Sequence, residues 1–221
     1  MWDSGPLAVY GAVTPTAGGG VAIDALGTKV YKAASTLFSN STVITVGSGN
    51  ALVITVSFGY SGSAPTSVSC TWNGVPATNL SSKDFTGGGA SSYVFGLRSP
   101  ASGAQTLALN WTNSAEVFVD AISFTGVDVT NDATAFPVAG RVTDDNASPT
   151  VAVSSGAGHY VVAAQCPGSS STTFTGTTLY FDNSSGTFIN AATNYDVGSA
   201  TVNIGITSAG NAKLAAIDVS N

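Results

Sequence analysis

Side chains able to do chemistry are few in this chain of 221 residues, and they are dispersed. His159 is the single histidine and Glu116 the single glutamate. A Ser-His-Asp relay has to run through His159, because a serine nucleophile needs an imidazole to take its proton. No Gly-x-Ser-x-Gly elbow accompanies it. Its place, after Gly158 and at the start of an apolar run, is that of a half-exposed residue at a strand edge. Zinc is disfavoured with one histidine and two separated cysteines. Glycoside hydrolysis needs two carboxylates flanking one bond. Asp128, Asp132, Asp144, Asp145 and Asp182 are candidates, but adjacent aspartates in turn-rich stretches are ordinarily solvated. Residues 128–132 and 144–146 also offer hard oxygen ligands for calcium, yet neither follows the EF-hand pattern of a sixth-position Gly and a terminal Glu. Tyr60, Phe85, Tyr180 and Tyr195 lie in or near polar stretches. They suit either sugar stacking or capping the ends of a core. The residues therefore assign no catalytic, cofactor-binding or metal-ligating role and leave binding residues open. The expectation is a protein that is not an enzyme and needs no cofactor.

Composition narrows the partners. Charged residues make up 8% of the chain, against about 25% in ordinary globular proteins. A surface so poor in charge lacks the usual solubility device and points to burial against other subunits. The net charge is −6, and Lys29, Lys32, Lys83, Arg98, Arg141 and Lys213 are scattered, where phosphate binding needs them clustered. Nucleic acid is disfavoured as a partner. So is membrane, since no basic amphipathic helix and no run of 18 apolar residues is present. The start, Met1-Trp2-Asp3-Ser4-Gly5-Pro6, lacks the basic region of a signal peptide. It suggests assembly into place, or a leader outside this sequence. Cys70 and Cys166 are too few for a disulfide framework. Each shares strand parity with apolar neighbours, so buried free thiols are preferred to a disulfide. Asn40, Asn79 and Asn110 match the glycosylation pattern, as Ser/Thr richness alone brings about.

The elements that position these residues are strands. Residues 103–112, a turn at Asn113-Ser114-Ala115 and residues 116–124 read as a β-hairpin. One gapless shift carries Gly103 onto Gly198, Thr106 onto Thr201, and Leu107, Leu109 and Trp111 onto Val202, Ile204 and Ile206. It also carries Ala121 and Ile122 onto Ala216 and Ile217. A second shift lays Ile44, Val46, Gly49 and Ile54 on Val151, Val153, Gly156 and Val161. Repetition of a supersecondary unit sets the plan of a fold. Strands at regular spacing, Gly/Ser-rich turns and no helical periodicity point to an all-β, two-sheet sandwich. Residues 1–20, with Pro6, Pro15 and Gly18-Gly19-Gly20, form an extended N-terminal arm. Residues 21–221 form one domain of two similar halves, about 21–128 and 149–221, each supplying strands to both sheets, and residues 126–149 join them. Residues 117–124 are apolar on both faces, as in a strand covered from two sides. Asp120 shares the parity of Phe118, Ile122 and Phe124, so a bulge or a rim position is expected for it.

A resemblance adds to this. Val21-Ala22-Ile23-Asp24, residues 52–57, Trp72-Asn73-Gly74-Val75 and residues 121–128 together resemble a jelly-roll-like β-sandwich module. That module occurs in tailed-phage virion proteins and in bacterial surface proteins. The likeness covers residues 21–221 and rests on core and turn residues, so it carries over no catalytic residue. It implies a jelly-roll-like fold and a non-enzymatic structural role in a virion, as a capsid decoration or head/tail surface subunit docking by its arm or one sheet face. Its expected partners are other virion subunits and copies of itself. A carbohydrate-binding or adhesive module of a tail or cell-surface protein, extracellular and with a surface glycan as partner, is the alternative.

Overall fold

A computed structural model describes residues 20–84, 89–146, 148–166, 172–175, 177–182, 191–208 and 212–221. The chain is all-β with several sheets. The first strands are β1 (Ala22–Leu26), β2 (Val30–Asn40), the two-residue β3 (Thr45–Val46) and β4 (Ala51–Tyr60). There follow β5 (Thr66–Trp72), β6 (Val75–Asp84), β7 (Gly89–Arg98), the short β8 (Gly103–Ala104) and β9 (Leu107–Thr125). A crossing segment holds one helical turn, α1 (Asp132–Ala135), and a 3-10 turn at Val138–Gly140. Then come β10 (Val142–Asp144), β11 (Thr150–Ser154), β12 (Tyr160–Cys166), β13 (Thr172–Thr175), β14 (Thr177–Asp182), β15 (Ala191–Val197), β16 (Thr201–Ser208) and β17 (Lys213–Val219).

β9 differs from its sequence expectation. Residues 113–115 do not reverse the chain: β9 runs unbroken from Leu107 to Thr125. Asn113 takes a positive φ of 63°, a conformation Asn tolerates, and from there the strand changes partners. Residues 107–112 pair with β5, and residues 116–124 pair with β4. Because β4 pairs with β7, β7 with β6 and β6 with β5, these strands close into a ring through the two parts of β9. The C-terminal look-alike is no hairpin either. β16 pairs with β11 and β13, whereas β17 pairs with β10 and β12.

The sheets also divide differently from expectation. The seven-stranded sheet is built from strands up to β9, and the five-stranded (β10-β17-β12-β15-β14) and three-stranded (β11-β16-β13) sheets from strands after it. Among the described residues no sheet takes strands from both sets. The later set begins at Val142, ahead of the expected start at Pro149, because β10 already pairs with β17. The expected arm falls on residues 1–19, outside the described residues, apart from Gly20.

Alternation sorts most of the apolar residues into three large clusters, since successive strand residues point to opposite faces. Leu52, Ile54, Val56, Phe58, Trp72, Leu107 and Leu109 fill the first set. Val153, Val161, Ala163, Ile204, Leu214 and Ala216 fill the second. The third cluster lies between the sets, where Ala51, Val53, Ile122 and Phe124 meet Val162, Ala164, Ala215, Ile217 and Val219. That face-to-face contact, the seam, is why β4 is buried along its whole length and why residues 117–124 are apolar on both faces. Asp120 lies on the seam. β9 pairs with β4 in unbroken register from Phe124 to Glu116, so no bulge turns Asp120 away, and at 3% exposure it is not on a rim.

Candidate functional site

Three groups of polar side chains stand out. The first surrounds His159. The turn before β12 brings its ring against Gly156, where a Cβ would lie 3.0 Å from it. The His159 Nδ1 is 2.9 Å from Oδ2 of Asp218, and its Nε2 is 3.3 Å from Oγ of Ser220. Asp218 also accepts a 2.5 Å hydrogen bond from Ser155 on its other oxygen. These are the contacts of a Ser-His-Asp relay, brought together because Asp218 and Ser220 are two residues apart on one strand edge. The same residues also hold backbone. Ser220 is 8% exposed, its N–H donates to the Ala135 carbonyl and its own carbonyl accepts from Asp128. Its hydroxyl also lies 3.3 Å from the Asn221 carbonyl. The cluster ties the 155–159 turn, the end of β17 and the crossing segment together.

The second group organises the crossing segment. Asn131 caps α1 by accepting from the Ala133 and Thr134 N–H groups, and the Thr134 hydroxyl completes a capping box. Arg98 reaches from β7 to Asp132 at 2.5 Å and to the Val129 carbonyl at 2.8 Å. The guanidinium and the Thr78 hydroxyl hold the Asp132 carboxyl below the usual carboxylate range. Arg141 donates to the Phe136 and Asp132 carbonyls. Beside Arg98 an open groove of about 350 Å³ is lined by Val75, Pro76, Thr78, Leu97 and Asp132. The other expected ligand group, 144–146, caps its own turn: Asp144 accepts from the Asp145 and Thr150 N–H groups and from the Asn146 amide. Among the described residues no three His, Cys, Asp or Glu side chains are grouped to hold a metal ion.

The third group is one end of the seam. Thr55 and Thr193 share a hydroxyl–hydroxyl bond of 2.7 Å across it. Ser57 donates to the Gln165 carbonyl and Ser92 to the Lys213 carbonyl. Burial pushes the Asp120 carboxyl up to about 7, against the pull of the Ala121 N–H and the Thr193 hydroxyl. Nearby, Phe118, Cys166 and Ala191 pack together. Burial drives the Cys166 thiol up to about 12 and raises that of Cys70, which lies in the first core. Neither cysteine is in a disulfide.

Of the candidate platform aromatics, Tyr60 and Tyr195 have described side chains, and they pack in different cores. Tyr60 is buried, its hydroxyl donating to the Ala90 carbonyl, and the Tyr195 ring packs near Tyr160 on the seam. Phe85 and the side chains of Tyr180 and Asp182 lie outside the described residues. Lys29 sits over the Phe118 ring, Lys83 pairs with Asp145, and Lys213 is buried. Lys32 lies on β2, paired with Val117 of β9. Within the described residues no helix is long and apolar enough to cross a membrane. Sequence reading missed Asp218, Ser220, Thr55 and Thr193. The alternation of β17 alone placed Asp218 and Ser220 on one face, and that signal was legible. No family model, curated protein or solved structure matches the chain.

Proposed function

We propose that the protein is a non-enzymatic structural protein of a phage virion, a capsid decoration or head/tail surface subunit. In this reading it is a jelly-roll-like sandwich made twice and stacked on itself. The duplication is supported strand by strand. Residues 30–32 and 37–40 of β2 pair with the later and earlier parts of β9, as β10 and β11 pair with β17 and β16. β4 lies between β9 and β7 as β12 lies between β17 and β15. β6 then follows β7 as β14 follows β15, and β5 joins β9 as β13 joins β16. The pairing order shared by the two sets is consistent with Greek-key connections in each.

The observation that carries the structural role is the use made of scarce charge. Asp24 accepts from Gly47, Ser48 and Ser123, and Asp132, Arg98 and Arg141 bind the crossing segment. Asp218 and His159 pin the end of β17. These clamps hold backbone in place, as suits a rigid block that docks on sister subunits or a shell. Multi-angle light scattering on the purified chain, with co-sedimentation on capsids of the phage encoding it, tests this. Self-association or capsid binding is expected; a monomer that stays in the supernatant overturns it. A fluorophosphonate probe, expected to leave Ser220 unlabelled, separates clamp from relay.

The groove beside Arg98 favours the second reading, a glycan-binding module, since an exposed apolar wall beside a fixed Arg–Asp pair suits a sugar's face and hydroxyls. Binding on a glycan array that Arg98→Ala abolishes would establish it. A blank array removes it.

A further inference from the structure

We propose that the hydroxyl end of the seam is a one-water site closed by Asp120 in its neutral form, so that acid tightens the contact between the stacked sheets. This goes beyond the structural role and does not depend on what the block docks on. Oδ1 of Asp120 accepts the Ala121 N–H at 2.8 Å, and a Cβ on Gly27 would come within 2.7 Å of it. Oδ2 is buried with no hydrogen-bond partner, since the nearby Thr193 hydroxyl is bonded to Thr55. Beside it lies a cavity of about 10 Å³, lined by Lys29, Thr55, Ser57, Phe118 and Thr193 among others. That is room for about one water, which needs two to four polar partners. The hydroxyls of Thr55, Ser57 and Thr193 and the acid itself supply them.

A neutral carboxyl has one O–H to donate and still accepts, so it and a water satisfy each other. An ionised one offers only acceptors to a site where burial already opposes charge. The raised carboxyl described above has this same cause. Other titratable groups face the seam around it. Lys29 lines the cavity. Tyr31 packs on Phe118, its hydroxyl's pKa raised by burial and then by Glu116. Cys166, Lys213 and Tyr195 come from the opposite sheet. β4 contributes none.

Chemical denaturation of the full chain from pH 4 to pH 8, beside Asp120→Asn, tests the acid. The wild-type folding constant is expected to fall about tenfold per pH unit relative to the variant between about pH 4 and about pH 7. Parallel profiles overturn the proposal. Should the variant not fold, carboxyl ¹³C shifts of the wild type decide: Asp120 titrating near 7 supports the proposal, and titration near 4 overturns it. A nuclear Overhauser effect from a long-lived water to Thr193 and Ala192 protons is expected, and its absence overturns the water site.

Discussion

The two ends of the seam are built on the same strands and hold by different means. Along β4 the residues facing the seam run Ala51, Val53, Thr55, Ser57, and along β9 they run Phe124, Ile122, Asp120, Phe118. Across from them β17 runs Val219, Ile217, Ala215, Lys213. One end is therefore apolar, and attraction there grows with buried area and tolerates small shifts. The other is joined by hydroxyls that each need a partner in a set direction. Area supplies adhesion at the first end, while register is fixed at the second. A stack with only the apolar end could slide; one with only the hydroxyl end would hold weakly.

The contrast can be broken most sharply from the apolar side. Phe124→Ala removes a fully buried ring and is expected to lower stability by about 3–5 kcal/mol in denaturant unfolding. Asp120→Asn works in the opposite sense. The folded Asp120 carboxyl is raised from 3.8 to about 7, so the folded chain keeps a proton that the unfolded chain releases. Stability is then complete below about pH 4, falls as pH rises to about 7, and is level above it. At pH 8 the substitution is expected to stabilise by up to about 4 kcal/mol, three tenfold steps, and to change little at pH 4. A double-mutant cycle on Thr55→Val and Thr193→Val should return a coupling of about 1 kcal/mol. Lys83 and Asp145 meet at 3.1 Å at the seam's outer edge, with side chains 30% and 44% exposed. Lys83→Ala is expected to cost about 0–0.5 kcal/mol, and less in high salt.

Much of this was legible in the chain and some was not. Alternation gave the strand class and the direction of both cysteines, and the two-sided apolar character of residues 117–124 announced a covering layer. What covers them was not legible, because periodicity records that a face is buried and not by which segment. Asn113-Ser114-Ala115 has the composition of a turn, yet one positive φ at Asn113 suffices to re-aim a strand without reversing it. Asp120 was placed on the correct face by parity and then moved off it, on the ground that buried acids need partners. Its neutral form relaxes that rule. The two shifts read from the sequence disagree in register: Ala121 lies opposite Ile54 and Ala216 opposite Ala163. The first shift thus sets Ile54 beside Ala163, where the second set it beside Val161. Of the site, His159 was visible as a lone residue. Its neighbours were not singled out because Asp218 and Ser220 look like ordinary polar residues closing a strand.

One contact has a topological consequence. The Val21 N–H donates to Gly158, while Ser220 touches the adjoining His159. The polypeptide thus begins and finishes its described path at a single pole. A linker of a few glycines from Gly20 to Asn221, with new ends opened beside Gly62, where a Cβ would meet open space, gives a circular permutant that keeps every strand pairing. For the same reason the whole block can be spliced into a loop of a host protein, hanging from it as a pendant and leaving the host's own path undisturbed.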